Sequence, residues 1–195
     1  MPLLGAVVLA FTAAVAQADP VTFSTTGVFS ISGTNVVNFA SVNGTTTITF
    51  NGTTNPVNTP AGTSFGDIVV TTTVPANLLG PAIAGNFTLN IIQVSPAGAG
   101  SLVGTLAGSL GFNTGIATLT FSTTSLTIGP FTYTVNPVYT IALPVTGVGG
   151  GAGTGTTTIQ GTVTGGAIPE PTSMLLLGTG LLGAAGAVRR RFKRQ

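Results

Sequence analysis

Asp19, Asp67 and Glu170 are the only carboxylates in this chain, and it has neither histidine nor cysteine. Activating a serine or threonine nucleophile requires an imidazole or carboxylate within hydrogen-bond reach, and cutting a glycosidic bond requires two carboxyl groups flanking it. Between Val21 and Ile168 the sole charged side chain is Asp67. The expectation is therefore that the body is not an enzyme and holds no cofactor, with Asp67 a turn or strand-start aspartate after Gly66. Without cysteine there is no thiolate metal site, and tight calcium sites gather several carboxylates, so no metal ligands are expected. Sugar-binding surfaces favour exposed aromatics, yet the chain lacks tryptophan and has only two tyrosines, Tyr133 and Tyr139. Both are read as core residues with a hydroxyl at the rim.

The elements that would position such residues follow from composition. The chain has 195 residues, 43% of them hydrophobic, enough for the core of one domain once both ends are set aside. All five basic residues, Arg189, Arg190, Arg191, Lys193 and Arg194, stand in the final seven positions. The body thus offers no basic surface to neutralise phosphates, and no nucleic-acid partner is expected. High hydrophobicity argues against disorder. Polarity comes from 36 threonines with many Ser, Asn and Gly, and β-branched threonine suits a half-solvated pleated surface.

Apolar and polar residues alternate through "GVFSIS", "NVVNFASVNGTTTITF", "FGDIVVTTTV", "GNFTLNIIQV", "GIATLTF", "SLTI", "FTYTVNPVYTIAL" and "TTTIQGTV". Turn residues separate them at Asn51-Gly52, Gly80-Pro81, Pro96-Ala97-Gly98 and Gly129-Pro130. This pattern predicts an all-β antiparallel sandwich of about nine to eleven strands over 19–166, with one short helical turn available to "VPANLLGPAIAG". Asn43-Gly44 reads as a type I′ hairpin loop. Facing residues then sum to 87, placing Phe39 opposite Ile48 and Val37 opposite Phe50 on the buried face.

Several motif matches carry no function. The glycine run at 147–155 has no following helix to hold a phosphate and reads as a loop before a last strand. Asn43-Gly44-Thr45, Asn51-Gly52-Thr53 and Asn86-Phe87-Thr88 match glycosylation sequons, which arise by chance in a chain so rich in Thr and Asn. Leu143-Pro144-Val145-Thr146-Gly147 spells the sortase pattern, but a strand and more than twenty residues separate it from the apolar tail, and coincidence is the better reading.

Both ends of the chain read as addresses. An apolar and small-residue run from Leu3 to Ala16 is followed by Ala14-Val15-Ala16 and Ala16-Gln17-Ala18, the pattern of a secretory signal peptide over 1–18 with cleavage after Ala16 or Ala18. No Lys or Arg precedes the run. At the other end, Thr172 to Val188 is a 17-residue uncharged stretch, about 25 Å as a helix and just able to cross a bilayer. The basic cluster behind it stays cytoplasmic by the positive-inside rule. A glycolipid-anchor signal would end apolar, whereas this tail ends in a basic cluster. A plain anchor would explain the run and the arginines, but not Pro169-Glu170-Pro171.

Pro169-Glu170-Pro171, a short Leu- and Gly-rich span, and Arg189-Arg190-Arg191 at the C-terminus resemble, in that order, the PEP-CTERM sorting signal recognised by exosortase, a membrane-embedded cysteine protease. The resemblance covers 168–195. It implies a Gram-negative exported protein, held briefly in the inner membrane by its tail and processed near the motif, in bacteria that commonly make exopolysaccharide. Pro169, Glu170 and Pro171 would then be recognition residues of a substrate. The expected function is a structural component of the cell surface or extracellular matrix, associating with itself or with exopolysaccharide. The alternative is a secreted ligand- or polysaccharide-binding module, which a groove lined by Tyr and Asn would favour.

Overall fold

From Val21 to Phe29 every second residue is buried: Val21, Phe23, Thr25, Gly27 and Phe29 point inward, and the residues between them are wholly or partly exposed. That period of two places one side of a strand against a core and leaves the other wet, and it recurs through the body. A computed structural model describes residues 20–57, 59–145, 153–165, 177–181 and 183. The chain divides into one unit of Asp19–Gly166 and a second of Met1–Ala18 with Ala167–Gln195.

Twelve strands occur among the described residues: β1 (Val21–Phe29), β2 (Val36–Ser41), β3 (Gly44–Asn51), β4 (Thr54–Val57), β5 (Ala61–Thr72), β6 (Ala82–Gln93), β7 (Gly98–Ser109), β8 (Ala117–Phe121), β9 (Ser125–Ile128), β10 (Phe131–Val135), β11 (Val138–Thr140) and β12 (Thr154–Gly165). They form two six-stranded sheets, ordered β11-β8-β7-β6-β1-β4 and β2-β3-β5-β12-β10-β9. Every pairing is antiparallel. Both sheets feed one buried core, and aromatic rings span the gap. Phe23 on β1 meets Tyr133 on β10 edge-on at 5.4 Å and Phe65 on β5 at 5.5 Å, and Phe50 on β3 lies 5.2 Å from Phe87 on β6.

The all-β expectation holds, with one strand more than its upper bound. β7 is the largest omission. Its sequence, GAGSLVGTLAGS, buries Leu102, Gly104 and Leu106 and sets Ala, Ser, Thr and Val103 outside, so glycine stands where a second apolar side chain would have signalled a strand. An added Cβ at Gly104 would lie 2.8 Å from the Leu119 side chain; the missing side chain makes room for β8. β4 also escapes the pattern, being four residues with a proline inside, a composition tolerated at a sheet edge. "VPANLLGPAIAG" holds a turn at Ala76–Asn77 and no helix, with Leu78 N donating to Pro75 O at 3.3 Å.

The β2–β3 hairpin keeps its predicted faces but not its register. Val37 pairs with Ile48 and Phe39 with Thr46, facing residues summing to 85, and the loop is Val42-Asn43. A slip of two residues preserves which side chains point inward: Val37, Ile48 and Phe50 are buried and Phe39 packs on the core. The cause lies in the residues just after β5. Gly44 has φ of +139°, and a Cβ there would come within 3.0 Å of Thr73 Oγ1 and Val74 N. Thr45 N donates to Thr73 Oγ1 and Thr73 N to Thr45 O, which draws Gly44 into β3 and pushes the loop back by one residue. Ser41 Oγ accepts from Asn43 N within that loop.

In the second unit, residues 177–181 and 183 are helical. No helix among the described residues is long and apolar enough to cross a membrane. The signal helix expected over 1–18 and most of the span expected over 172–188 lie outside the described residues.

Candidate functional site

Asp67 sits within β5, not at a turn or strand start as expected. It faces Thr158 on β12, whose Oγ1 donates to Asp67 Oδ1 at 2.6 Å. Between Thr158 and Gln160 the β12–β5 register shifts by one residue, a bulge of the kind that re-aims side chains. Gly66 makes it possible. Its φ is +119°, and an added Cβ would stand 2.5 Å from Asn51 O and 2.6 Å from the Phe50 ring. The half-buried carboxylate is thus held by a neighbouring hydroxyl on the outer surface of the sheet.

Both tyrosines are buried, but the hydroxyl of Tyr133 does not reach the rim. It donates to Gln93 Oε1 at 2.7 Å, while Gln93 Nε2 donates to Pro96 O; Tyr133 and Gln93 are at most 2% exposed. Desolvation pushes the Tyr133 hydroxyl up to about 12. The Tyr139 hydroxyl donates to Gln160 O and accepts from Asn136 N, tying β11 of one sheet to β12 of the other. Burial also raises its pKa, and the Asn136 hydrogen bond opposes that rise. The Tyr- and Asn-lined groove that would favour polysaccharide binding therefore lacks its tyrosines.

Threonines complete this internal wiring. Thr25 Oγ1 on β1 donates to Phe65 O on β5 at 2.8 Å and accepts from Thr53 N. Thr46 Oγ1 donates to Leu110 O at 2.7 Å and lies 3.0 Å from Thr72 Oγ1. The bonds to Phe65 O and Leu110 O each satisfy a backbone group whose burial unpaired would cost about 1–3 kcal/mol. Composition foretold abundant hydroxyls; which of them turn inward depends on strand parity and register.

The residues singled out in the sequence for sorting, Pro169, Glu170 and Pro171, lie outside the described residues, as do Arg189, Arg190, Arg191, Lys193 and Arg194 and the cleavage-site alanines Ala16 and Ala18. Among curated proteins and among solved structures, none matches the chain. The PEP-CTERM protein-sorting motif does match, over residues 167–191, a stretch that takes in Pro169-Glu170-Pro171, the apolar run and Arg189-Arg190-Arg191. The chain therefore carries a PEP-CTERM sorting signal behind a hydroxyl-rich β body, and is an exported protein targeted to exosortase through a membrane-anchored stage in a Gram-negative envelope.

Proposed function

We propose that the mature protein is a structural component of the bacterial surface or extracellular matrix, released from its membrane-held tail by exosortase. The observation that carries this reading is the sorting motif at 167–191. It gives the chain a route out of the cell, and the body is the cargo. The one carboxylate on the strands of the body, Asp67, is bonded to Thr158 and the tyrosine hydroxyls are spent inside, which supports a role as scaffold more than as catalyst. In this reading Pro169-Glu170-Pro171 is the segment that exosortase recognises at the bilayer. The apolar run holds the chain there, and the arginines stop translocation.

Mass spectrometry of the protein recovered from its host tests this directly. The mature form should lack the first 16 to 18 residues and the basic tail, with a new C-terminus near Pro169 to Thr172. Recovery from the cell surface with Arg189 to Arg194 still attached would make the tail a permanent anchor and remove the processing step.

A further inference from the structure

We propose that β2 is a docking edge for a second copy of this chain, the two β2 strands pairing antiparallel about a two-fold axis, with the Thr34 hydroxyl governing how much of the edge is open. Each sheet ends in two edge strands, and three of the four are very short: β4 and β9 have four residues and β11 has three. Short edges resist pairing with other chains. β2 has six residues, and no described strand lies on its outer side.

The hydrogen-bonding direction of β2 can be read from its neighbours. Phe50 N donates to Asn35 O at 2.8 Å, so odd-numbered residues exchange bonds with β3, and Val36, Asn38 and Ala40 turn their N–H and C=O groups outward. Val36 is already capped: its N–H donates to Thr34 Oγ1 at 3.2 Å, and the same hydroxyl donates to Val36 O at 2.9 Å. Asn38 and Ala40 are exposed. One threonine thus closes the start of the edge and leaves its remainder open.

A second copy suits this edge better than any other strand of the molecule. Self-pairing about a two-fold axis at Asn38 sets Asn38 opposite its own copy and Ala40 opposite Val36 and closes on itself, whereas pairing with β4, β9 or β11 is heterologous and does not close as a pair of subunits. Charge does not oppose the approach, because β2 has no charged side chain and the only one in any strand of the body is Asp67, on β5. Lysines or other charges ordinarily guard such edges, and none stands here.

The inference is independent of the sorting reading. A strictly monomeric body would remove it and leave export untouched, and an uncleaved tail would do the reverse. The test uses residues 19–166, whose core runs from Val21 to Val163 and so lies wholly inside that segment. Sedimentation velocity should show a concentration-dependent monomer–dimer equilibrium. Asn38→Pro removes one outward N–H, and Ala40→Lys places a charge on the edge; each should weaken the dimer by tenfold or more, with circular dichroism confirming that the variant is folded. Thr34→Val frees the Val36 groups for two further bonds and should tighten the dimer about tenfold. A monomer at every concentration would overturn the proposal. So would a ladder of larger species, a dimer indifferent to both edge variants, or a monomer that binds another surface polymer.

Discussion

The body and the tail of this protein handle charge in opposite ways. From Val21 to Ile168 there is a single charged side chain, whereas the last 28 residues hold Glu170 and all five basic residues. The body gets its specificity from hydroxyls and amides that bond across strands and between sheets. Its polar interactions work only at short range, in a fixed geometry. The tail is a string of address features recognised in order along the chain. The contrast explains why the tail's role is stated by its motif while the body's is stated by its contacts.

The largest effects are expected from changes in the tail. Glu170→Ala should leave the full-length protein uncleaved in the inner membrane, an all-or-none change visible by immunoblotting of cell fractions. Converting Arg189, Arg190 and Arg191 to Asp should instead disturb membrane retention before any cleavage. Neither change should move the thermal midpoint of the body by more than a fraction of a degree; a larger shift would show that the two regions are energetically linked.

Within the body, the largest expected effect comes from Gly66→Ala. The added Cβ meets backbone at 2.5 Å and must hold a φ of +119°, so a loss of about 2–4 kcal/mol is expected in denaturant titration. Next is pH. An unfolded tyrosine ionises near 10, and Tyr133 in the folded body near 12. The unfolded state therefore releases its proton first, and stability present below pH 10 is lost as pH rises toward 12. The loss should approach about 2–3 kcal/mol from this residue. Tyr133→Phe should flatten that alkaline decline, at the expense of about 1–3 kcal/mol at neutral pH from an unsatisfied Gln93. The smallest effect is expected at Asp67, where Asn should cost less than about 1 kcal/mol because the pair is half exposed. A hydrolytic turnover abolished by the same substitution would overturn the structural reading of the body.

How much of this was legible in the sequence depended on where side chains signal a strand and where backbone does. β3, β5, β6 and β10 announced themselves through alternating Ile, Val, Leu, Phe and Tyr. β7 did not, since its inward positions include Gly104, and β4 was hidden by Pro56. Asn43-Gly44 located a hairpin correctly and its register incorrectly, because the decisive contact is with Thr73 and Val74, some thirty residues away. The tail was legible because Pro-Glu-Pro, an apolar run and arginines act through order and spacing, which a linear reading preserves. Tyr133 was assigned to the core but not to Gln93, since that pairing forms only once the two sheets face each other.

The place of β12 has a consequence for timing. The six strands of the β11-to-β4 sheet are all complete by Thr140, but the other sheet has its last-made strand in the middle, between β5 and β10. Synthesis runs from the N-terminus, so one half of the sandwich can assemble while the other still consists of two separated fragments, β2-β3-β5 and β10-β9. Only when Gly165 becomes available can β12 join them. The next residues to follow are those of the sorting signal. The strand that completes the cargo and the signal that addresses it are thus adjacent along the chain, β12 ending at Gly165 and the matched motif beginning at residue 167.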